Sequence, residues 1–355
     1  MPAIHMADYG LTGPFAALAH SCPPGRQAAR IISQEKGFYH IVCENGERLA
    51  SVSGKLLHGA SSALDLPAVG DFVWTDADNT PNPAVIHGIL PRKSVFVRKA
   101  AGPACTEQVV AANIDTVFLC MALNSDFNLR RLERYLTIAW SSGATPVIVL
   151  TKSDLCADLP RQLRAVDAVA AGADVLVTSG LLPDGCHQLL PYLRPGTTAA
   201  LMGSSGTGKS TLINRLLGED LLATNGLRGD GKGRHTTTRR QLLLLPCGGM
   251  VIDTPGMREL GLWDDGQGLN RSFADIDALT SQCRFRSCTH TGEPGCAVKA
   301  ALADGTLSPE RWSSFQKLHA ENRYTEDNSA YMAEKRRKFK TIAKINRSSH
   351  RREEW

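Results

Sequence analysis

The spacing of apolar and polar positions changes character twice along the chain. Residues 1–34 show no clear periodicity and carry loop signals such as Cys22-Pro23-Pro24-Gly25. From Lys36 to Gly102, short β-rich runs are broken by turn residues. Phe38–Cys43 leads into the turn Glu44-Asn45-Gly46, and Asp71–Trp74 follows Val69-Gly70. Ala84–Ile89 and Ser94–Val97 come after the polar loop Asp76–Pro81. At least four short strands in about 65 residues predict a small barrel, five-stranded OB-type or SH3-like. From Ile114 the rhythm becomes α/β. Thr116–Ala122, Pro146–Leu150, Asp174–Val177, Ala199–Met202 and Met250–Ile252 read as apolar strands. Asn128–Trp140 sets Leu129, Leu132, Leu136 and Trp140 on one helical face, and further helices are expected around Arg161–Ala171 and Thr211–Leu217. Such alternation predicts a mostly parallel sheet covered by helices. Beyond Trp263 the chain turns Cys-rich, then helical at Ser308-Pro309, where Ser caps and Pro takes the first helical position.

Composition narrows the setting. The 355 residues suggest two or three domains, each able to bury its own core. No run of about 18 apolar residues exists, and Met1–His20 lacks a basic stretch leading into an apolar one. A cytoplasmic protein is therefore expected, with no membrane partner and its 10 Cys reduced, serving as packing residues or metal ligands. The net charge of +5 is uneven. Lys335, Arg336, Arg337, Lys338, Lys340, Lys344, Arg347, Arg351 and Arg352 crowd the C-terminus, and without them the balance is −4. A basic tail of this kind suits a phosphate backbone. Arg92, Lys93, Arg98 and Lys99 form a second candidate nucleic-acid face, although cations at strand ends are commonly only solvated.

Gly203-Ser204-Ser205-Gly206-Thr207-Gly208-Lys209-Ser210 satisfies the P-loop pattern between a strand and a helix. Its glycines let backbone N–H groups converge on phosphate oxygens, Lys209 reaches the β/γ-phosphates, and the Ser210 hydroxyl suits Mg²⁺. Asp253-Thr254-Pro255-Gly256 ends the Met250–Ile252 strand. Asp253 there suits water-held Mg²⁺, and the Gly256 N–H suits the γ-phosphate. Between them lies Gly229–Thr238, polar and glycine-rich, whose Thr237 is a candidate second Mg²⁺ ligand. Thr151-Lys152-Ser153-Asp154 closes another strand, and its carboxylate would accept from the N1–H and N2–H₂ edge of guanine, which adenine does not offer. Thr178-Ser179-Gly180 follows the next strand and offers a backbone N–H to guanine O6. In an ordinary small GTPase the base motifs come last. Here they precede the P-loop, so the domain reads as circularly permuted.

Cys283-x4-Cys288-x-His290-x5-Cys296 supplies three thiols and one imidazole within fourteen residues. That is a complete tetrahedral zinc shell, with no position left open for water, and so favours one structural Zn²⁺.

These residues closely resemble the circularly permuted GTPases that act in late maturation of the small ribosomal subunit, the RsgA/YjeQ type. The resemblance rests on Thr151–Asp154, Gly203–Thr211, Gly233-Arg234-His235-Thr236-Thr237-Thr238, Asp253–Gly256 and Cys283–Cys296, and spans about residues 36–345. It implies a multidomain chain: an N-terminal OB-type β-barrel, a central α/β circularly permuted P-loop GTPase domain and a C-terminal, mainly helical zinc-binding domain. The expected boundaries are 1–35 for an extension, 36–102 for the barrel, 103–264 for the G domain, 265–328 for the zinc domain and 329–355 for the basic tail. Thr151 departs from the family's usual Asn, and its hydroxyl replaces part of that side chain's bonding toward the P-loop. Met257 stands where a Ras-like enzyme places its water-orienting Gln. His235, matching the family's catalytic His, is the expected substitute, beside Lys209 and Asp253. The expectation is a monomeric GTPase that binds the 30S subunit or its precursor and 16S rRNA, and hydrolyses GTP to drive late maturation and its own release, stimulated by the small subunit. The alternative is a GTP-gated rRNA-binding module whose bound state, not turnover, is the function.

Overall fold

In the computed structural model, which describes residues 4–35, 37–77, 83–99, 107–180, 182, 185–219, 240–253 and 267–323, the chain divides into two units, 1–261 and 262–355. The first begins with helix α1 (Gly13–His20) and a five-stranded barrel. The barrel strands are β1 (Arg26–Glu35), β2 (Phe38–Cys43), β3 (Gly46–Val52), β4 (Phe72–Asp76) and β5 (Ala84–Ile89). β1 pairs with both β2 and β4, β2 with β3, and β4 with β5, while β3 runs parallel to β5. This closed order fits an OB-type barrel and sets aside the SH3-like alternative. Helix α2 (Gly54–Gly59) fills the β3–β4 connection, capped by the Ser53 hydroxyl, which accepts the Leu56 N–H at 3.1 Å.

Two sequence expectations are corrected here. The barrel begins at Arg26 rather than residue 36. β1 escapes a search for alternation because residues 29–33 are all buried, pressed between barrel and neighbouring sheet. Ser94–Val97 is not a barrel strand either: β6 (Val95–Lys99) pairs with β7 (Glu107–Ala112) in a separate two-stranded sheet.

The α/β part of this unit has strands β8 (Thr116–Ala122), β9 (Thr145–Thr151), β10 (Asp174–Val177), β11 (Thr198–Met202), β12 (Arg240–Leu244) and β13 (Met250–Asp253). Their order is β10-β9-β8-β11-β13-β12, all parallel except β12. Every residue of β8 and β11 is buried, as expected for strands covered on both faces. Helices α3 (Leu129–Ser142), α4 (Leu159–Asp167) and α5 (Lys209–Leu217) lie in the connections. Asn128 caps α3 by accepting the Arg131 N–H, and Gly143 ends it at φ 85°, where a β-carbon would be strained. Phe118, Val147, Val149, Leu201, Ile213 and Val251 form the core beneath the loops at the strands' C-terminal ends. Truncating Phe118 to Ala there would cost about 3–5 kcal/mol.

β1 also pairs with β12, Ser33 opposite Gln241 and Gln34 opposite Arg240, which fuses barrel and α/β sheet. Arg30 fastens the seam. Its guanidinium, 1% exposed, donates to Tyr9 O at 2.5 Å, Gly70 O at 3.3 Å and Thr198 Oγ1 at 2.9 Å, and lies 4.8 Å from the Phe72 ring centre. Burial pulls its pKa down to about 10, opposed by the charges of Asp115 and Asp71. Arg92 does not face solvent as part of a basic patch. It forks onto the fully buried Asp71 at 2.8 and 2.7 Å and donates to the Leu64 and Leu66 carbonyls. Lys93 pairs with Asp115 at 2.5 Å, and Arg98 reaches Gln108 at 3.4 Å. Of these cations, Arg92 is the one built into the fold, on a carboxylate that is fully buried.

In the second unit, helices α6 (Gln267–Ser272), α7 (Ala274–Ser281), α8 (Ala297–Asp304) and α9 (309–323) surround Phe273, Ile276, Val298, Leu307 and Leu318. The Ser308 hydroxyl caps α9 through the Arg311 N–H at 3.1 Å. Arg311 then forks onto Asp275 at 2.7 and 2.6 Å, locking α9 to α7. A core this small needs a staple, and the Cys/His cluster sits where one would act.

Candidate nucleotide site and metal centre

The P-loop bridges β11 and α5. At Gly203 a β-carbon would come within 2.5 Å of the Cys120 carbonyl, so only glycine lets the loop pass the end of β8. Gly208, at φ 88°, turns the chain into α5. The Lys209 ammonium folds back over the loop and donates to the Gly203 and Ser204 carbonyls at 2.8 and 2.7 Å. Thr207 Oγ1 donates to Ser204 O at 2.9 Å, and Ser205 and Gly206 lie exposed at the rim. Ser210 and Thr211 follow Lys209 in the first turn of α5. A glycine-turned loop at a helix N-terminus, with one ammonium folded over it, can act as an anion cradle.

Asp253 ends β13, which runs parallel to β11. Burial pushes its carboxyl pKa up, and the nearby Lys209 charge pulls the other way. Thr254, Pro255, Gly256, Met257, His235 and Thr237 lie outside the described residues.

The base motif stands across the cradle. Thr151, 2% exposed, donates its hydroxyl to the Thr207 carbonyl at 2.7 Å, stitching the end of β9 to the P-loop. Lys152 takes φ 57°, which turns the chain so that Ser153 and Asp154 enter a short 3₁₀ turn. Asp154 Oδ1 accepts from Ser179 Oγ at 2.5 Å, and Ser153 N–H donates to Thr178 O at 3.2 Å. A β-carbon on Gly180 would meet the Thr211 methyl at 2.9 Å, so the Ser179 loop lies directly against α5. The structure thus brings Thr151, Lys152, Ser153, Asp154, Thr178 and Ser179 together with the Gly203–Thr211 segment.

The sequence reading missed Asp126, in the loop after β8. Its Oδ2 accepts from Ser204 Oγ at 2.6 Å, and Oδ1 pairs with Arg131 at 2.9 Å. The Ser204 hydroxyl, then Arg131, holds this carboxyl below its usual range. Only the fold joins residues 126 and 204, and no motif announces the pair.

In the second unit the ligand atoms of Cys283, Cys288, His290 and Cys296 lie within 4.8 Å of one another. His290 Nδ1 is 3.6 Å from Cys283 Sγ and 3.5 Å from Cys296 Sγ, and those two sulfurs are 4.0 Å apart. A tetrahedral zinc with bonds of about 2.3 Å to sulfur sets ligand atoms about 3.8 Å apart. The donor set and spacing fit that ion. His290 takes φ 61°, which swings its imidazole toward the thiols.

A strand order with β11 central, a P-loop after it and base motifs upstream in sequence defines a circularly permuted GTPase fold. The chain belongs to the RsgA GTPase family, whose profile matches residues 89–263. It is 52% identical over 327 residues to the small ribosomal subunit biogenesis GTPase RsgA 2 of Lactiplantibacillus plantarum, covering 92% of each chain. Among solved structures it is similar to YjeQ from Thermotoga maritima, at TM-score 0.62 and 27% identity over 84% of this chain and 98% of that one. It also matches YloQ, described as a circularly permuted GTPase, at TM-score 0.59 and 25% identity over 84% and 96%.

Proposed function

We propose that this chain is a GTPase that binds the 30S ribosomal subunit or its precursor, in contact with 16S rRNA, and hydrolyses GTP in late subunit maturation. On this reading turnover is stimulated by the subunit and drives the protein's own release. The observation that carries the reading is the stitched site: an anion cradle joined by the Thr151–Thr207 bond to an Asp154–Ser179 pair. Asp154 accepts from the guanine N1–H and N2–H₂ edge, and the Ser179 hydroxyl holds that carboxylate in place. Lys209 exchanges its bonds to loop carbonyls for β/γ-phosphate oxygens. Ser210, Asp253 and Thr237 are the residues that would hold Mg²⁺, which offsets phosphate charge when bound. His235 orients the attacking water in the place of a Gln, and the Gly256 N–H contacts the γ-phosphate. Cys283, Cys288, His290 and Cys296 hold one Zn²⁺ that gives the helical unit the folding energy its small core lacks. The protein acts as a monomer in the cytoplasm. The direct test is co-sedimentation of the full chain with purified 30S subunits. Pelleting with a non-hydrolysable GTP analogue and release with GDP are expected, and equal pelleting in both states would overturn the release step.

A further inference from the structure

Asp126 stands in the connection 123–128 between β8 and α3, and no step of the proposed reaction uses it. That connection is fixed at two points. Leu123 N–H donates to the Thr151 carbonyl at 2.9 Å, where the base motif begins, and Asp126 N–H donates to Asn124 Oδ1 at 3.0 Å. The carboxylate then divides its oxygens: Oδ1 pairs with Arg131 at 2.9 Å, and Oδ2 accepts the Ser204 hydroxyl at 2.6 Å. An acid just ahead of a helix ordinarily serves that helix's N-terminus. Here Asn128 already caps α3 by accepting the Arg131 N–H at 3.0 Å, and Oδ2 is committed to the P-loop. Ser204 is the hub of that loop. Its carbonyl accepts from Lys209 Nζ at 2.7 Å and from Thr207 Oγ1 at 2.9 Å. The Thr207 carbonyl in turn accepts from the Thr151 hydroxyl at 2.7 Å. Asp126, Ser204, Thr207, Thr151 and Leu123 therefore close a ring of hydrogen bonds and short chain stretches through three loops.

We propose that Asp126 is a positioning residue of the nucleotide site, closing this ring so that the P-loop backbone meets the phosphates in one conformation. A loop with glycines at 203, 206 and 208 has much backbone freedom to lose when a ligand orders it. Thr151 holds the loop at Thr207, and Asp126 holds it at Ser204, on the far side of the exposed Ser205 and Gly206. With both points fixed in advance, the nucleotide does not bear that ordering cost. A carboxylate beside a phosphate site would by itself repel the ligand. The Ser204 hydroxyl, then Arg131 and Lys152, offset the charge and favour the ionised form. Lys152 belongs to the base motif, so one carboxylate acts on both halves of the site. The role rests on the nucleotide-site reading and adds to it a residue that no motif predicts.

The test is isothermal titration of the full chain with GTP, GDP and inosine triphosphate in the presence of Mg²⁺, beside urea unfolding without nucleotide. Asp126→Ala and Ser204→Ala should each weaken GTP and GDP binding at least about threefold. The double variant should bind no worse than the weaker single one, because both cut the same bond. Asp126→Asn keeps an acceptor oxygen for the Ser204 hydroxyl and should return to within about twofold of the parent. Two readouts should stay where they are. The preference for GTP over inosine triphosphate, which lacks the 2-amino group that Asp154 reads, belongs to the other half of the site. The urea midpoint should also hold, since the Asp126 side chain is 41% accessible and an exposed ion pair adds little to global stability. The role is overturned if Asp126→Ala binds GTP as tightly as the parent, or if the two losses multiply in the double variant. It is equally overturned if the base preference or the urea midpoint falls in step with affinity, which would mean a general loosening. An Asn variant as weak as Ala would place the effect in the charge and overturn the hydroxyl clamp. A parent that fails to bind GTP sinks the nucleotide-site reading itself; a parent that binds GTP, with Asp126 variants that match it, sinks the positioning role alone.

Discussion

Replacing Thr151 by Val removes one hydroxyl and keeps the side chain's shape. In the folded chain that hydroxyl is the bond from the base motif to the P-loop, 2.7 Å to the carbonyl of a Thr207 that is fully buried. Leaving a buried carbonyl short of its donor costs about 1–3 kcal/mol. Urea unfolding without nucleotide should therefore show a loss of that size. The consequence for binding is separate. With the stitch cut, GTP itself must order the two loops, at about 0.5–1.5 kcal/mol for each immobilised side chain, or roughly a two- to tenfold weaker Kd. Isothermal titration with GTP and GDP measures that shift. Thr151→Asn puts back an amide donor of similar reach and should hold GTP within about twofold of the parent. The reasoning fails if Thr151→Val leaves both the urea midpoint and the GTP affinity unchanged. It also fails if Thr151→Asn weakens binding as much as Val does.

On the proposed base assignment, Asp154→Asn turns an acceptor oxygen into a donor facing the guanine N–H groups. GTP affinity should fall by at least about 2 kcal/mol, with xanthosine triphosphate recovering part of it; a variant that keeps GTP and rejects the xanthine nucleotide refutes the base assignment. His235→Ala should bind nucleotide nearly as the parent does but lose at least about tenfold of 30S-stimulated turnover, because water positioning acts in the transition state. Equal loss of binding and turnover would make His235 structural. Metal analysis should find one zinc per freshly purified, reduced chain, and Cys288→Ala should loosen roughly residues 270–320 in hydrogen exchange while GTP binding persists. Zinc-free protein with normal protection there would contradict the metal assignment.

The parts of the site that were legible in sequence are those in which chemistry demands fixed residue types a few positions apart. The P-loop, the Thr151–Asp154 motif and the Cys/His cluster are of this kind, and the place of the base motif ahead of the P-loop is enough to reveal the permutation. What stayed hidden is long-range. β1 carries Arg30 in its centre, and a charged residue in a strand reads as solvent-facing. Here it is buried because carbonyls from residues 9 and 70 and the Thr198 hydroxyl converge on it. Arg92 looked like part of a basic face because its partner, Asp71, lies 21 positions away on the other side of a strand pair. Asp126 reaches Ser204 across 78 residues. Local spacing carries no trace of such pairs, and the closed barrel that decides them is a property of the whole sheet.

The central claim is that the stitched nucleotide site turns over GTP in response to the small subunit. Phosphate release by the full chain, measured with and without equimolar purified 30S subunits at saturating GTP, tests it most directly. A rate at least about tenfold higher with 30S is predicted, as when a partner completes a GTPase site. The same slow rate in both reactions, with 30S binding demonstrated in the same tubes, would contradict it and leave the bound state as the function.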